Sequence, residues 1–289
     1  MRRSAPALVS VCIPSRNTRA TLPAQLDALA AQTYAGPWEV VLLDNGSTDG
    51  SDALALDWSD RLTIRVARVA TPGISHVRNA ARSAARGDLL AFCDGDDVVV
   101  PGWLSALVHA ARDADLVGGR LDETSLNPAH VSAWRDPLPD ALMAPLGYLP
   151  FAPGGNCAVW ADVVDEVGGW DTSYVGGSDD VDFSWRVQRA GYTVGYAPGA
   201  VVAYRYRADL RSFLRQYHRY GLTEATLQRR FADAVPRSTV GDVLRVWRRL
   251  LRRLPALRHP GVERVKLLRD WAYHSGRLRG SLRERTLLA

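Results

Sequence analysis

The first two hundred residues alternate between short apolar runs and segments with helical spacing. Leu8–Pro14, Trp38–Leu43, Leu62–Val69, Leu89–Cys93 and Asp115–Gly119 read as strands. Between them, Leu22, Leu26 and Leu29 recur at helical intervals, His76–Arg86 is an Ala/Arg-rich helix, and Trp103–Ala111 is another. Short continuous apolar strands are covered on both faces, so this order predicts an α/β fold around a mostly parallel central sheet. Ligands of such sheets bind beyond the carboxyl ends of the strands. Polar residues gather there: Arg16 and Asn17 after the first strand, Asp44 after the second, and Asp94, Asp96 and Asp97 after the fourth. Three loops are therefore expected to meet at one crevice.

After Tyr204 the pattern changes. In 239–254, Val243, Leu244, Trp247, Leu250, Leu251 and Leu254 recur at helical spacing, and Arg245, Arg248, Arg249, Arg252 and Arg253 fill much of the other face. Pro236, Pro255 and Pro260 are expected to break the tail into short helices. Charge changes at the same place. Residues 1–204 carry 15 Arg and no Lys against 24 acids, and residues 205–289 carry 20 Arg and one Lys against 7 acids. An acidic domain, 1–205, and an Arg-rich helical extension, 206–289, follow. A basic amphipathic helix can lie on an anionic membrane, bind nucleic acid, or meet an acidic surface of its own protein. A solvated Arg face on a helix packed against the body is an equal reading.

Length and composition narrow the class. A chain of 289 residues that is 47% hydrophobic can bury a sizeable core and is neither disordered nor fibrous. No stretch approaches the ~18 apolar residues of a membrane span. Met1–Leu8 lacks the apolar core of a signal peptide, and Cys12, Cys93 and Cys157 are too scattered for a disulfide framework or a zinc site. The expectation is a cytoplasmic protein.

Asp94-Gly95-Asp96-Asp97 places three carboxylates in four residues. Their repulsion is relieved by a divalent cation such as Mg²⁺ or Mn²⁺, which takes oxygen ligands from one or two carboxylates and from phosphates. A capped acidic turn is the plainer alternative. A Walker-type phosphate loop and a G-x-G-x-x-G motif after the first strand are both missing, so a bound nucleotide would be held by the metal and scattered side chains, Arg78 among them. Arg78 is as readily a surface charge. A second acidic cluster, Asp179, Asp180 and Asp182, follows Gly176-Gly177-Ser178. A helix N-terminus accounts for one of these acids; a carboxylate near a cation site can also act as a general base. Trp170, after Gly168-Gly169, either stacks on a sugar or fills the core, and the core is favoured.

The segments Val9–Asn17, Val40–Asp49, Gly73–Asn79, Ala91–Asp97, Gly168–Asp171 and Asp179–Arg186 occur in an order that closely resembles the family 2 glycosyltransferases, inverting enzymes of the GT-A fold. The resemblance covers about residues 8–205 and leaves the tail outside. It implies that Pro14 and Asn17, with Arg16 beside them, border the nucleotide base and that Asp44 hydrogen-bonds it. It implies that Arg78 lies near the sugar diphosphate and that Asp94 and Asp96 are the D-x-D aspartates. Asp96 would be the metal ligand, with Asp97 a further candidate. Asp180 matches the catalytic base and Asp179 its acidic neighbour, where the family often has Glu. The histidine that often completes the metal site is missing from Ala203-Tyr204-Arg205-Tyr206.

The expected activity is metal-dependent, inverting transfer of a sugar from a nucleoside-diphosphate donor, UDP- or dTDP-linked, to an acceptor hydroxyl. A lipid-linked acceptor at the inner membrane face, in cell-envelope polysaccharide or glycolipid synthesis, is one expectation drawn from the basic tail. Nucleic acid is not expected as a partner. The rival readings are a nucleotide- or membrane-binding scaffold on the same fold, and a nucleotidyltransferase.

Overall fold

A computed structural model describes residues 2–288. The apolar runs form strands β1 (Val9–Ser15), β2 (Trp38–Asp44), β3 (Ile64–Arg68) and β4 (Leu89–Cys93), paired in parallel in the order β3-β2-β1-β4. The helices α1 (Leu22–Ala30), α2 (Ser51–Leu54) and α3 (Ile74–Ala84) connect them. Leu22, Leu26 and Leu29 of α1 are fully buried, which is why the helix forms where its leucines recur.

The rest of the sheet departs from the parallel pattern. A two-residue strand, β5 (Val98–Val99), precedes α4 (Trp103–Ala110) and β6 (Leu116–Asp122). After α5 (Ala129–Ser132), β7 (Asn156–Trp160) inserts antiparallel between β4 and β6. The helices α6 (Ala161–Val167) and α7 (Asp179–Arg189) then lead to β8 (Val194–Ala203), parallel to β6 and antiparallel to β5. The eight-stranded sheet is thus mixed, with its parallel half carrying the first crevice loops. Helix α7 begins at Asp179, one turn earlier than its apolar residues alone suggest, because Ser178 turns the chain in the left-handed region (φ 65°) and the acids favour the helix N-terminus.

The tail comprises α8 (Leu210–Arg230), α9 (Val240–Arg252) and α10 (Val262–Glu284). The prolines do delimit these helices, but α8 and α10 are long, 21 and 23 residues, rather than short. Their contacts advance together along both helices, from His218–Ala272 to Thr226–Glu284, so they run in the same direction. Gly221, Gly276 and Gly280 sit where a Cβ would strike the facing helix, which sets the close approach. Helix α8 is also sealed to the body. Leu227, Phe231 and Val235 pack with Tyr174, Val181 and Trp185 in a second apolar cluster. Among the described residues, no helix is long and apolar enough to cross a membrane.

Candidate active site

The carboxyl ends of β1 and β2 are clamped together. Asn17 takes a left-handed conformation (φ 55°), its amide donates to Ser47 Oγ (3.0 Å), and its Oδ1 accepts from the Thr48 amide (2.8 Å). Pro14 is buried in β1 opposite Leu43, and Asp44 is buried at the end of β2, accepting the Ser47 amide (3.2 Å). Arg16 is exposed at the same edge.

The first acidic cluster follows β4. Carboxylate oxygens of Asp94, Asp96 and Asp97 lie within 4.8 Å of one another. Asp96 is exposed, Asp94 half-buried and Asp97 buried. Burial pushes Asp94 up to about 6 against the pull of Arg78, and burial plus the charge of Asp94 pushes Asp97 up to about 9. Asp97 Oδ1 accepts the Arg205 amide (2.7 Å), while its Oδ2 is buried with no partner. An orphaned buried acceptor among converging hard oxygen donors fits a divalent cation.

The second cluster is compensated from within the protein. Asp179 is buried in an ion pair with the buried Arg78. Asp182, fully buried, pairs with Arg186 (2.7 Å) and Arg230 (3.0 Å). Arg186 also donates to the carbonyls of Val167 (2.9 Å) and Gly169 (2.6 Å), so Asp182 and Arg186 hold the Gly168–Trp170 turn. Trp170 stacks on Phe183 (4.1 Å) and belongs to the core. Asp180 alone has no cationic partner in hydrogen-bond contact. It accepts the amides of Gly154 (3.1 Å) and Val181 (2.9 Å). Burial and the neighbouring Asp179 push it up to about 6, with Arg78 opposing.

Gly154 and Gly155 explain how the two clusters come together. A Cβ on Gly154 would overlap the Arg78 guanidinium, and one on Gly155 would lie 2.6 Å from Asp94 Oδ2. Only glycines leave room for both side chains here. Arg78 thereby reaches Asp179 from 101 residues away, and its guanidinium also lies in the fields of Asp94 and Asp180.

A cavity of about 150 Å³ opens between Asp94 and Asp96 on one side and the Tyr204–Arg207 segment on the other, with Gln216 of α8 closing it. Arg205 donates through Nε to the Asp96 carbonyl (2.8 Å), and neither Arg205 nor Arg207 has a carboxylate partner among the described residues. The change of charge near residue 205 thus falls within the cavity wall. Arg205, Arg207 and Gln216 are site residues that the sequence reading missed. The signal for the two arginines is the Tyr204-Arg205-Tyr206-Arg207 alternation directly after the last strand. Helix α8 also touches the loop before Asp180: Thr223 hydrogen-bonds Ser178 (2.9 Å), and Gly177 lies against Tyr220.

Comparisons with known proteins follow the same outline. The profile of "Glycosyl transferase family 2" matches residues 10–168, more than half the chain, and that of "Glycosyl transferase family group 2" matches residues 90–268. Glycosyltransferase AglE of Haloferax volcanii is 32% identical over 196 residues, 65% of this chain and 64% of that protein. The Escherichia coli UDP-Glc:alpha-D-GlcNAc-diphosphoundecaprenol beta-1,3-glucosyltransferase WfgD is 34% identical over 97 residues, 34% of this chain and 38% of that one. The matched segments span less than two thirds of either relative. Among solved structures, the mannosyltransferase PcManGT from Pyrobaculum calidifontis, in complex with GDP-Man and Mn²⁺, superposes with a TM-score of 0.59 at 18% identity, covering 96% of this chain and 74% of that one. That likeness shows the GT-A fold.

Proposed function

The chain belongs to glycosyltransferase family 2 and is a glycosyltransferase, and from its site we propose metal-assisted, inverting transfer of a sugar from a nucleoside-diphosphate donor to an acceptor hydroxyl. The observation that carries this reading is the contrast at the cavity: Asp94 and Asp96, with the orphaned Asp97 Oδ2 buried beside them, stand opposite Arg205 and Arg207, which have no carboxylate partner among the described residues, and Asp180 is in the electrostatic neighbourhood of Asp94. Asp96 and Asp97 would hold Mg²⁺ or Mn²⁺, with Asp94 beside them. When bound, that cation supplies positive charge against the leaving diphosphate. The binding of GDP-Man with Mn²⁺ by PcManGT supports this assignment.

The chain's own residues do the rest. The clamped loops of Pro14, Arg16, Asn17 and Asp44 receive the base and ribose. Arg205 and Arg207 meet the diphosphate with guanidinium donors. Arg78 is engaged with Asp179, so it sets the electrostatics around Asp180 from behind the donor. Asp180 accepts the acceptor's hydroxyl proton as that oxygen attacks the anomeric carbon and the C–O bond to the diphosphate breaks. One base suffices for a single in-line displacement, and the configuration inverts. Residues 1–205 supply the transfer chemistry, and α8 of the extension completes the cavity wall. The name of WfgD carries a UDP-linked donor and a diphospholipid acceptor, which supports an envelope-type acceptor for this chain as well.

The test is thermal unfolding with a panel of UDP, dTDP and GDP, with and without Mn²⁺. A ligand at a hundredfold excess over its Kd adds about 2.7 kcal/mol. A metal-dependent shift that disappears in Asp96→Asn supports the site and names the base. No shift with any nucleotide overturns it.

A further inference from the structure

We infer that α9 is a membrane-docking helix that seats its leucines in an anionic lipid surface. The helix is firmly started: Thr239 and Asp242 cap it reciprocally, through Asp242 N–H to Thr239 Oγ1 (3.2 Å) and Thr239 N–H to Asp242 Oδ2 (2.9 Å). It is therefore a formed helix rather than a loose linker. Yet its apolar stripe is not used by the body. Val240, Leu244 and Leu251 are 65, 50 and 52% exposed, and Leu254 and Leu257 prolong the stripe into the following turn. Positions 240, 244, 247, 251 and 254 fall on one side of a helix. Trp247 of this row packs edge-on against Trp271 of α10, ring centroids 5.3 Å apart. Leu250 is the one residue of α9 that is buried.

The flanks of the stripe name the occupant. Residues 237–258 contain seven arginines and one acid, Asp242. Asp242 pairs with Arg245, and Arg253 pairs with Asp270 of α10. Arg248, Arg249, Arg252 and Arg258 are exposed and have no carboxylate partner among the described residues. An apolar stripe bordered by free guanidiniums suits a surface with acyl chains just beneath a layer of phosphates. A second copy docked through the same face would bring these arginines against their own kind. A nucleic acid would leave the leucines in water. Helices α8 and α10 pack closely on each other along Gly221, Gly276 and Gly280, and their own exposed leucines are Leu210, Leu278 and Leu282.

The experiment is flotation of the full chain with vesicles of phosphatidylcholine alone or mixed with phosphatidylglycerol. The expected result is binding to the mixed vesicles, weakened by added salt, and little to phosphatidylcholine. The double variant Leu244→Glu/Leu251→Glu changes two exposed side chains outside the candidate active site, and it should lower vesicle binding about tenfold or more. Its unfolding midpoint and nucleotide binding should match the parent, so a failure here is distinct from a failure of the transferase reading. Arg248→Gln/Arg249→Gln/Arg252→Gln should abolish the preference for phosphatidylglycerol. The inference is overturned if the parent fails to float with anionic vesicles, or if Leu244→Glu/Leu251→Glu floats unchanged. Self-association or RNA binding through this face, without vesicle binding, overturns it equally.

Discussion

The two acidic clusters look alike on paper and behave oppositely in the fold. Asp179, Asp180 and Asp182 lie among the arginines 78, 186 and 230, and two of the three acids are neutralised by direct ion pairs. Asp94, Asp96 and Asp97 have no side-chain ion pair among the described residues. Asp97 Oδ2 is buried without a partner, whereas Asp182 Oδ1, though it lacks a hydrogen bond, stands 3.0 Å from the Arg230 guanidinium. A cluster satisfied by its own protein is structural apart from the member left over, here Asp180. A cluster left unsatisfied is the one for which a cation supplied from outside is proposed.

The difference can be broken at either end, and the largest effect is expected at Asp180. Asp180→Asn should lower transfer by about 10³-fold, within the usual contribution of a general base, while nucleotide binding persists. Product release assayed beside nucleotide affinity separates the two, and parent-like turnover would return Asp180 to the structural set. Next comes the compensated cluster itself. Arg186→Gln strips one partner from the fully buried Asp182 and should cost about 3 kcal/mol in denaturant unfolding. An unfolding free energy equal to the parent's would mean that Arg230 alone neutralises Asp182.

A pH profile sharpens the same contrast. As the proposed base Asp180 acts deprotonated, and its burial beside Asp179 raises it to about 6. Activity should therefore be full above that value and fall about tenfold per pH unit below it. A rate that is flat down to pH ~4.5, near the ordinary carboxylate range, would remove Asp180 from the base role. The smallest effect is the most discriminating in sign. Asp97→Asn should stabilise the metal-free protein by about 1 kcal/mol, because it removes the penalty of a buried carboxyl that must take up a proton on folding. Loss of stability in the metal-free state would show that Asp97 is compensated after all.

The helical tail makes a parallel point. Helices α8 and α9 are both Arg-rich and amphipathic by sequence. Helix α8 buries Phe213, Leu227 and Gln228 and ties Arg230 to Asp171 and Asp182, whereas α9 buries Leu250 alone. Periodicity over 239–254 predicts the helix α9; it is silent on whether the body covers it.

Much of the frame was legible in the chain. The apolar runs of β1, β2 and β4 became strands buried on both faces, with β3 half-buried at the sheet edge, and hydrophobic continuity is a local property. The acids at the strand ends were legible for the same reason: they stop the run. The D-x-D and Asp179-Asp180 motifs, with the surrounding segments, were sufficient to point to the family. Only the tertiary structure decided what depends on distant residues. It reversed β7 within the sheet, joined Arg78 to Asp179, left Asp97 Oδ2 orphaned and brought Arg205, Arg207 and Gln216 to the cavity. It also left the stripe of α9 in the open. Neutralisation and burial are relations between partners. A carboxylate's sequence neighbourhood shows that it is charged, but only the fold shows which cation, if any, stands opposite.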